Sequence, residues 1–218
     1  MTTKNRILTV SIQQFNLLGY HQVTLADIAK ACDMSRGNLA YHYKNKVHIL
    51  NDLVVRMVTE VRTIQDQRKG FPAFTNLTLD VRTCRILQGR YKFIFRDSSV
   101  LEHKHIRRVM NIWSEVSIQR NNEAFAFGVS IGNLRPELFN GMYAQLSINA
   151  WMVAYYWVSQ ETVRDIKKGE EAEKMIWATI IPHFTDKGLR AFEAYYGKSY
   201  MSKMGKPINK VVKQNLLF

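Results

Sequence analysis

Apolar residues recur every three or four positions along almost the whole chain, and strict alternation is scarce, so the pattern predicts helices throughout. Leu8, Ile12 and Phe15 line one side of a first helix over about Lys4 to Leu18, with Gly19 at its end. Leu25, Ile28 and Ala29 form the stripe of a short second helix. The Thr24 hydroxyl can cap it, and Asp27 three residues on completes a variant capping box. Cys32-Asp33-Met34 breaks the period, and Ser35 can cap a third helix over about Arg36 to His42. Two short helices joined by a three- or four-residue turn predict a helix-turn-helix, whose second helix is shaped to enter a DNA major groove.

A fourth helix starts near Lys46, with Ile49, Leu50, Leu53, Val54, Met57, Val58 and Val61 spaced for burial. Gly70-Phe71-Pro72 interrupts the pattern, which resumes near Leu77 as a long stripe through Val81, Cys84, Leu87, Tyr91, Ile94 and Leu101. Further helices are predicted over about Ile106 to Phe127, Glu137 to Gln160 and Gly169 to Gly197. The last should be disturbed at Pro182, which has no backbone donor. The expected architecture is all-α, with a helix-turn-helix domain over residues 1–50, a larger helical domain over 51–197 and a basic tail over 198–218.

Charge sharpens this division. The net charge is +13, and residues 1–50 carry six Lys/Arg against two acids while 198–218 carry five lysines and no acid. A basic excess concentrated at the two ends favours a polyanionic partner, although a generally basic protein would show the same balance.

Other classes find less support. The segment Leu138 to Gln160 has no charged residue over a bilayer-spanning length. Asn140, Gln145, Ser147 and Asn149 dilute it, so it reads as a buried or interface helix, with no membrane partner. Lys4, Arg6, Gln13 and Gln14 interrupt any apolar leader, and Cys32 and Cys84 lack metal-ligand spacing, which together predict a reduced cytoplasmic protein. No Walker loop, zinc-ligand pair, nucleophile elbow or dinucleotide fingerprint is present, so neither an enzyme nor a cofactor is expected. His103-Lys104-His105 suggests metal only superficially. Adjacent helical positions diverge, and Arg107-Arg108 would repel a cation.

Arg36 and Asn38 stand near the start of the third helix, where Arg can read guanine and Asn adenine through paired hydrogen bonds, or both can form a solvated face. Tyr41 and His42 follow at positions suited to the backbone, and Thr24 sits at a helix start that favours a phosphate. Ser35 caps first and contacts DNA second, and Gly37 permits close approach of a helix or of DNA. In the larger domain, Phe93, Met110, Trp113, Tyr143, Asn149 and Tyr155 are candidates to line an apolar pocket with a few polar groups, the alternative being ordinary core or interface.

The chain resembles the TetR family of transcriptional regulators over about Arg6 to Leu50. The resemblance is carried by Phe15, Gly19-Tyr20, Thr24, Asp27-Ile28-Ala29, Met34-Ser35, Gly37, Leu39, His42-Tyr43 and Lys46. It implies a homodimer whose headpieces each read half of a near-palindromic double-stranded operator. It further implies a ligand-binding and dimerisation domain in which a small apolar or aromatic effector weakens DNA binding, and a phosphate-binding role for Lys46. Repression is the expected outcome; the alternative is a nonspecific nucleoid-associated protein relying on charge. Asp33 stands where the family usually has glycine, and Ala40 where it commonly has a phosphate-reaching tyrosine, a contact Tyr41 would then supply.

Overall fold

Three helices, α1 (Thr3–Leu18), α2 (Leu25–Ala31) and α3 (Arg36–His42), close around Ile7, Phe15, Ile28 and Leu39 to form the headpiece. The computed structural model describes residues 2–68, 70, 74–164 and 172–204. Gly19 ends α1 at φ +86°, and its N–H donates to the Phe15 carbonyl at 3.0 Å. The chain then runs through α4 (Lys46–Gln65), α5 (Phe74–Arg90), α6 (Lys92–Arg96), a 3₁₀ turn (Ser98–Glu102), α7 (Lys104–Ser130), α8 (Met142–Arg164), α9 (Ala172–Ile180) and α10 (Asp186–Tyr196). Among the described residues there is no strand, only an isolated bridge between Leu134 and Phe184.

Burial produces two cores. The first continues from the headpiece along Leu50, Leu53, Val54 and Met57 of α4 to Leu87, Tyr91, Phe93, Ile94 and Ile106. Packing therefore does not divide at residue 50: α4 belongs to both sides. The second gathers Phe125, Leu134, Leu146, Trp177, Ile180, Phe184 and Phe192 at the other end.

The helix predicted through Leu101 is in fact broken twice. Tyr91 is buried and donates to Glu60 at 3.0 Å, and the Asp97 carboxylate accepts from Ser99 N at 3.1 Å, opening the 3₁₀ turn. At the expected start of α8, Glu137 lies outside the helix. Its carboxylate accepts from Gly141 N at 3.2 Å and Tyr143 N at 2.8 Å, groups that lack a preceding carbonyl. The last predicted helix is two helices, because Pro182 cannot extend the ladder and Thr185 caps α10 through Gly188 N at 3.1 Å. Gly188 lets the loop after α7 cross this cap, since a Cβ there would fall 2.0 Å from the Asn133 carbonyl oxygen.

The predicted breaks at Phe71-Pro72 and the start near Gly169 lie outside the described residues, as does the tail from residue 205. The beginning of that tail folds back, with Tyr200 tilted against Tyr196 at 4.4 Å between ring centres. Among the described residues no helix is long and apolar enough to cross a membrane.

Candidate nucleic-acid interface and ligand cavity

The helix-turn-helix is held by reciprocal local bonds. Thr24 Oγ1 accepts from Asp27 N at 3.2 Å while Thr24 N donates to Asp27 Oδ2 at 2.9 Å, a full capping box. The Thr24 hydroxyl also donates to Asp27 at 2.6 Å, and these bonds hold the Asp27 carboxyl below its ordinary value. At the other end of α2, Met34 N donates to the Ala29 carbonyl at 3.0 Å and Asp33 N to Lys30 at 3.1 Å. This is a Schellman stop, which requires a left-handed residue at Asp33, and Asp33 has φ +50°. Arg6 of α1 donates to the Cys32 carbonyl at 2.5 Å and ties the turn to the bundle.

Ser35 starts α3 by accepting from Asn38 N at 3.1 Å. Leu39 is the buried residue of α3, so Arg36, Asn38 and Tyr41 all face solvent, Tyr41 with 86% exposure. His42 is half-buried and its ring meets Tyr41 at 5.3 Å. Gly37 shares the outer face, and a Cβ there would meet nothing nearer than Ser35 Oγ at 3.9 Å. No packing inside the protein needs that glycine. Below, the buried Tyr43 hydroxyl donates to Asp52 at 2.8 Å, which orients the end of α3 on α4.

Lys46 differs from the expected phosphate-facing arrangement. Its ammonium donates to the carbonyls of Tyr20 at 2.6 Å, His21 at 3.3 Å and Val23 at 2.9 Å, and burial lowers its pKa. All three hydrogens are engaged, so the side chain anchors the α1–α2 turn. Lys44, in the α3–α4 connection, is exposed.

The headpiece meets the larger domain along a polar and aromatic seam. Asn16 donates to the Arg90 carbonyl at 2.8 Å and accepts from Phe93 N at 3.1 Å, while Phe15 meets Phe93 edge-on at 5.2 Å. His21 lies 2.6 Å from Ser99 Oγ, and Tyr20 meets the His103 ring at 5.4 Å.

The larger domain holds a partly open cavity of about 420 Å³ between α5, α7, α9 and α10, within the range of small-molecule sites. Its wall includes Leu77, Phe125, Leu134, Trp177, Ile180 and Phe184. The six pocket candidates fall elsewhere. Trp113 and Tyr155 line a separate 40 Å³ space beside Cys84, whose thiol burial pushes up to about 12. Phe93 and Met110 are packed in the first core, Tyr143 stacks on Phe125 and donates to the Arg135 carbonyl, and Asn149 lies exposed on α8. Helical spacing marked these residues as apolar or central but could not say which helices leave space between them. Among the described residues no group of three His, Cys, Asp or Glu could hold a metal.

The fold and site define a helix-turn-helix protein whose reading helix is presented by a larger helical domain with an internal cavity. Residues 7–53 match the family described as bacterial regulatory proteins, tetR family. A stretch of 66 residues is 29% identical to the probable acrEF/envCD operon repressor of Escherichia coli K12, covering 30% of either chain. The chain thus matches only about a third of that relative's length. The fold is similar over 89% of this chain to a TetR-family transcriptional regulator from Marinobacter aquaeolei VT8, with 97% of that chain covered, TM-score 0.76 and 22% identity. It is also similar over 93% of this chain to a gamma-butyrolactone receptor (ArpA-like protein), with 98% of that chain covered, TM-score 0.64 and 13% identity. The headpiece thus matches the tetR family model, and the chain as a whole shares the fold of these solved regulators.

Proposed function

We propose that the protein is a cytoplasmic, ligand-responsive transcriptional repressor that binds a near-palindromic operator as a homodimer and leaves it when a small apolar or aromatic effector occupies the larger domain. The observation that carries this reading is the α3 surface. Arg36, Asn38 and Tyr41 project outward from a helix anchored by Leu39 and capped by Ser35, with Gly37 leaving room for close approach. Arg36 and Asn38 read base edges, Tyr41 and His42 meet the backbone, and Thr24 and Ser35 present helix starts to phosphates. The engaged ammonium of Lys46 makes it an anchor in this scheme rather than a phosphate contact.

Pairing of two chains is supported by α8, where Ile148, Met152 and Tyr156 are exposed on one face of a segment without charge. Coupling is supported by α4. It shares the headpiece core through Leu50 and Leu53, and it reaches the cavities through Gln65 and the following Arg68. An effector that favours one setting of α4 by about 1.4 kcal/mol would weaken operator binding tenfold. Gel-shift and footprinting on DNA flanking its own gene test the proposal. A protected half-site pair at physiological salt is expected; equal affinity for unrelated duplexes would favour the nonspecific architectural alternative.

A further inference from the structure

The 420 Å³ cavity has an uneven electrostatic lining. Most of its wall is aromatic and aliphatic, but Arg68, Asp80 and Arg120 meet it on one side. Arg68 forms a close ion pair with Asp80. Arg120 is half-buried and acts on Asp80 only from beyond ion-pair distance. Among the described residues the Arg120 guanidinium has no hydrogen bond or salt bridge of its own. Two guanidinium groups and one carboxylate thus leave a net positive charge in a partly desolvated wall. The further acid on the lining, Glu123, is exposed and accepts from Gln119 at 3.1 Å.

Two more lining groups lack partners: Thr75 Oγ1 and the Asn133 side-chain oxygen are both buried without a hydrogen bond. A buried polar atom left unpaired costs free energy, and a guanidinium without an anion costs more. An apolar molecule alone would leave the Arg120 guanidinium and the Thr75 hydroxyl unmatched, and a cation would face two guanidinium groups.

We propose that this cavity takes a monocarboxylic acid with an apolar or aromatic body, its carboxylate on Arg120 and its body against the Trp177 and Phe184 wall. The planar guanidinium suits a carboxylate through two parallel bonds, and the Thr75 hydroxyl is available to donate alongside it. The remaining, largely apolar lining sets the size of the body. This assignment rests on the effector-responsive reading above and narrows it to a class of ligand.

Calorimetry on the full chain would compare decanoate with decan-1-ol, and 1-naphthaleneacetate with its alcohol. At least one acid should bind ten times or more tightly than its matched alcohol. Arg120→Gln should abolish that preference, and Arg120→Lys should retain part of it, with circular dichroism confirming the fold of both. Equal affinity for acid and alcohol, no binding by either acid, or an undiminished preference in Arg120→Gln would overturn the proposal. Operator release is scored separately by gel shift. Acid binding without release would count against the regulatory reading while leaving the ligand class standing.

Discussion

Lys46 donates to the Tyr20 carbonyl at 2.6 Å while its ammonium sits 4.4 Å from the centre of the Tyr20 ring, so one side chain clasps both the backbone and the face of the same residue. Tyr20 in turn touches His103 of the larger domain, which makes this clasp part of the seam between headpiece and body. Lys46→Met should lower the unfolding free energy by roughly 1–3 kcal/mol, because three carbonyls lose a charged donor. Urea unfolding reads the loss. The slope of log affinity against log salt should match that of the unsubstituted protein. A slope shallower by about one would instead put the ammonium on a phosphate.

Asp33 holds the left-handed position that stops α2, at φ +50°. Glycine takes that conformation without strain, so Asp33→Gly should stabilise the protein by about 0.5–1 kcal/mol. Asp33→Val should cost about 1–2 kcal/mol. Thermal melts separate the two. Equal midpoints would mean that the turn relaxes away from this geometry.

Gly37 occupies an exposed helical site with open space around it. Gly37→Ala should therefore add about 0.5–1 kcal/mol of stability through helix propensity. Operator binding should nevertheless weaken, since the methyl group stands between α3 and the groove. A variant that is both more stable and equally tight on DNA would remove Gly37 from the contact surface.

Arg36 and Asn38 are predicted to separate specific from nonspecific binding. Replacing either with alanine should cost about 1–3 kcal/mol on the operator and relax base preference at the matching position. Binding to random duplex should change far less. Selection from a randomised half-site library measures this directly.

Asp27 contributes an acid-sensitive element. Its carboxyl lies below the ordinary value of 3.8 because Thr24 donates to it through both hydroxyl and backbone N–H. A carboxyl lowered in the folded state stabilises above the unfolded value and loses that contribution as pH falls through the folded one. The stability difference between the unsubstituted protein and Asp27→Ala should hold at pH 5–7 and shrink as pH falls below about 4. A difference independent of pH would show that the capping bond does not need the charged form.

The headpiece was legible because its signals are local. Thr24, Ser35 and Gly19 act on backbone groups within three or four residues of themselves, and the helix limits they mark agree with those observed within a residue or two. The long stripe through Leu101 misled because Tyr91 finds its partner, Glu60, on another helix, while Asp97 caps a 3₁₀ turn through Ser99 N, a local stop that the apolar spacing alone does not register. The engagement of Lys46 was hidden for a similar reason. Its charge marks a phosphate ligand in a linear pattern, whereas three carbonyls brought together by the α1–α2 turn take that charge inward.

By itself, the amino-acid sequence determined the all-helical character, the helix-turn-helix and the outward polar face of α3, since helix period and capping act over one or two turns. Only the tertiary structure decided where the cavity lies and that Arg120, on its wall, has no close partner among the described residues. A cavity is the space left where helices distant in sequence fail to meet, and a charge is neutralised or left bare by neighbours that only packing brings near. Trp113 and Arg120 show the contrast, seven residues apart on α7. The conspicuous tryptophan lines a 40 Å³ space, while the unremarked arginine faces the 420 Å³ cavity.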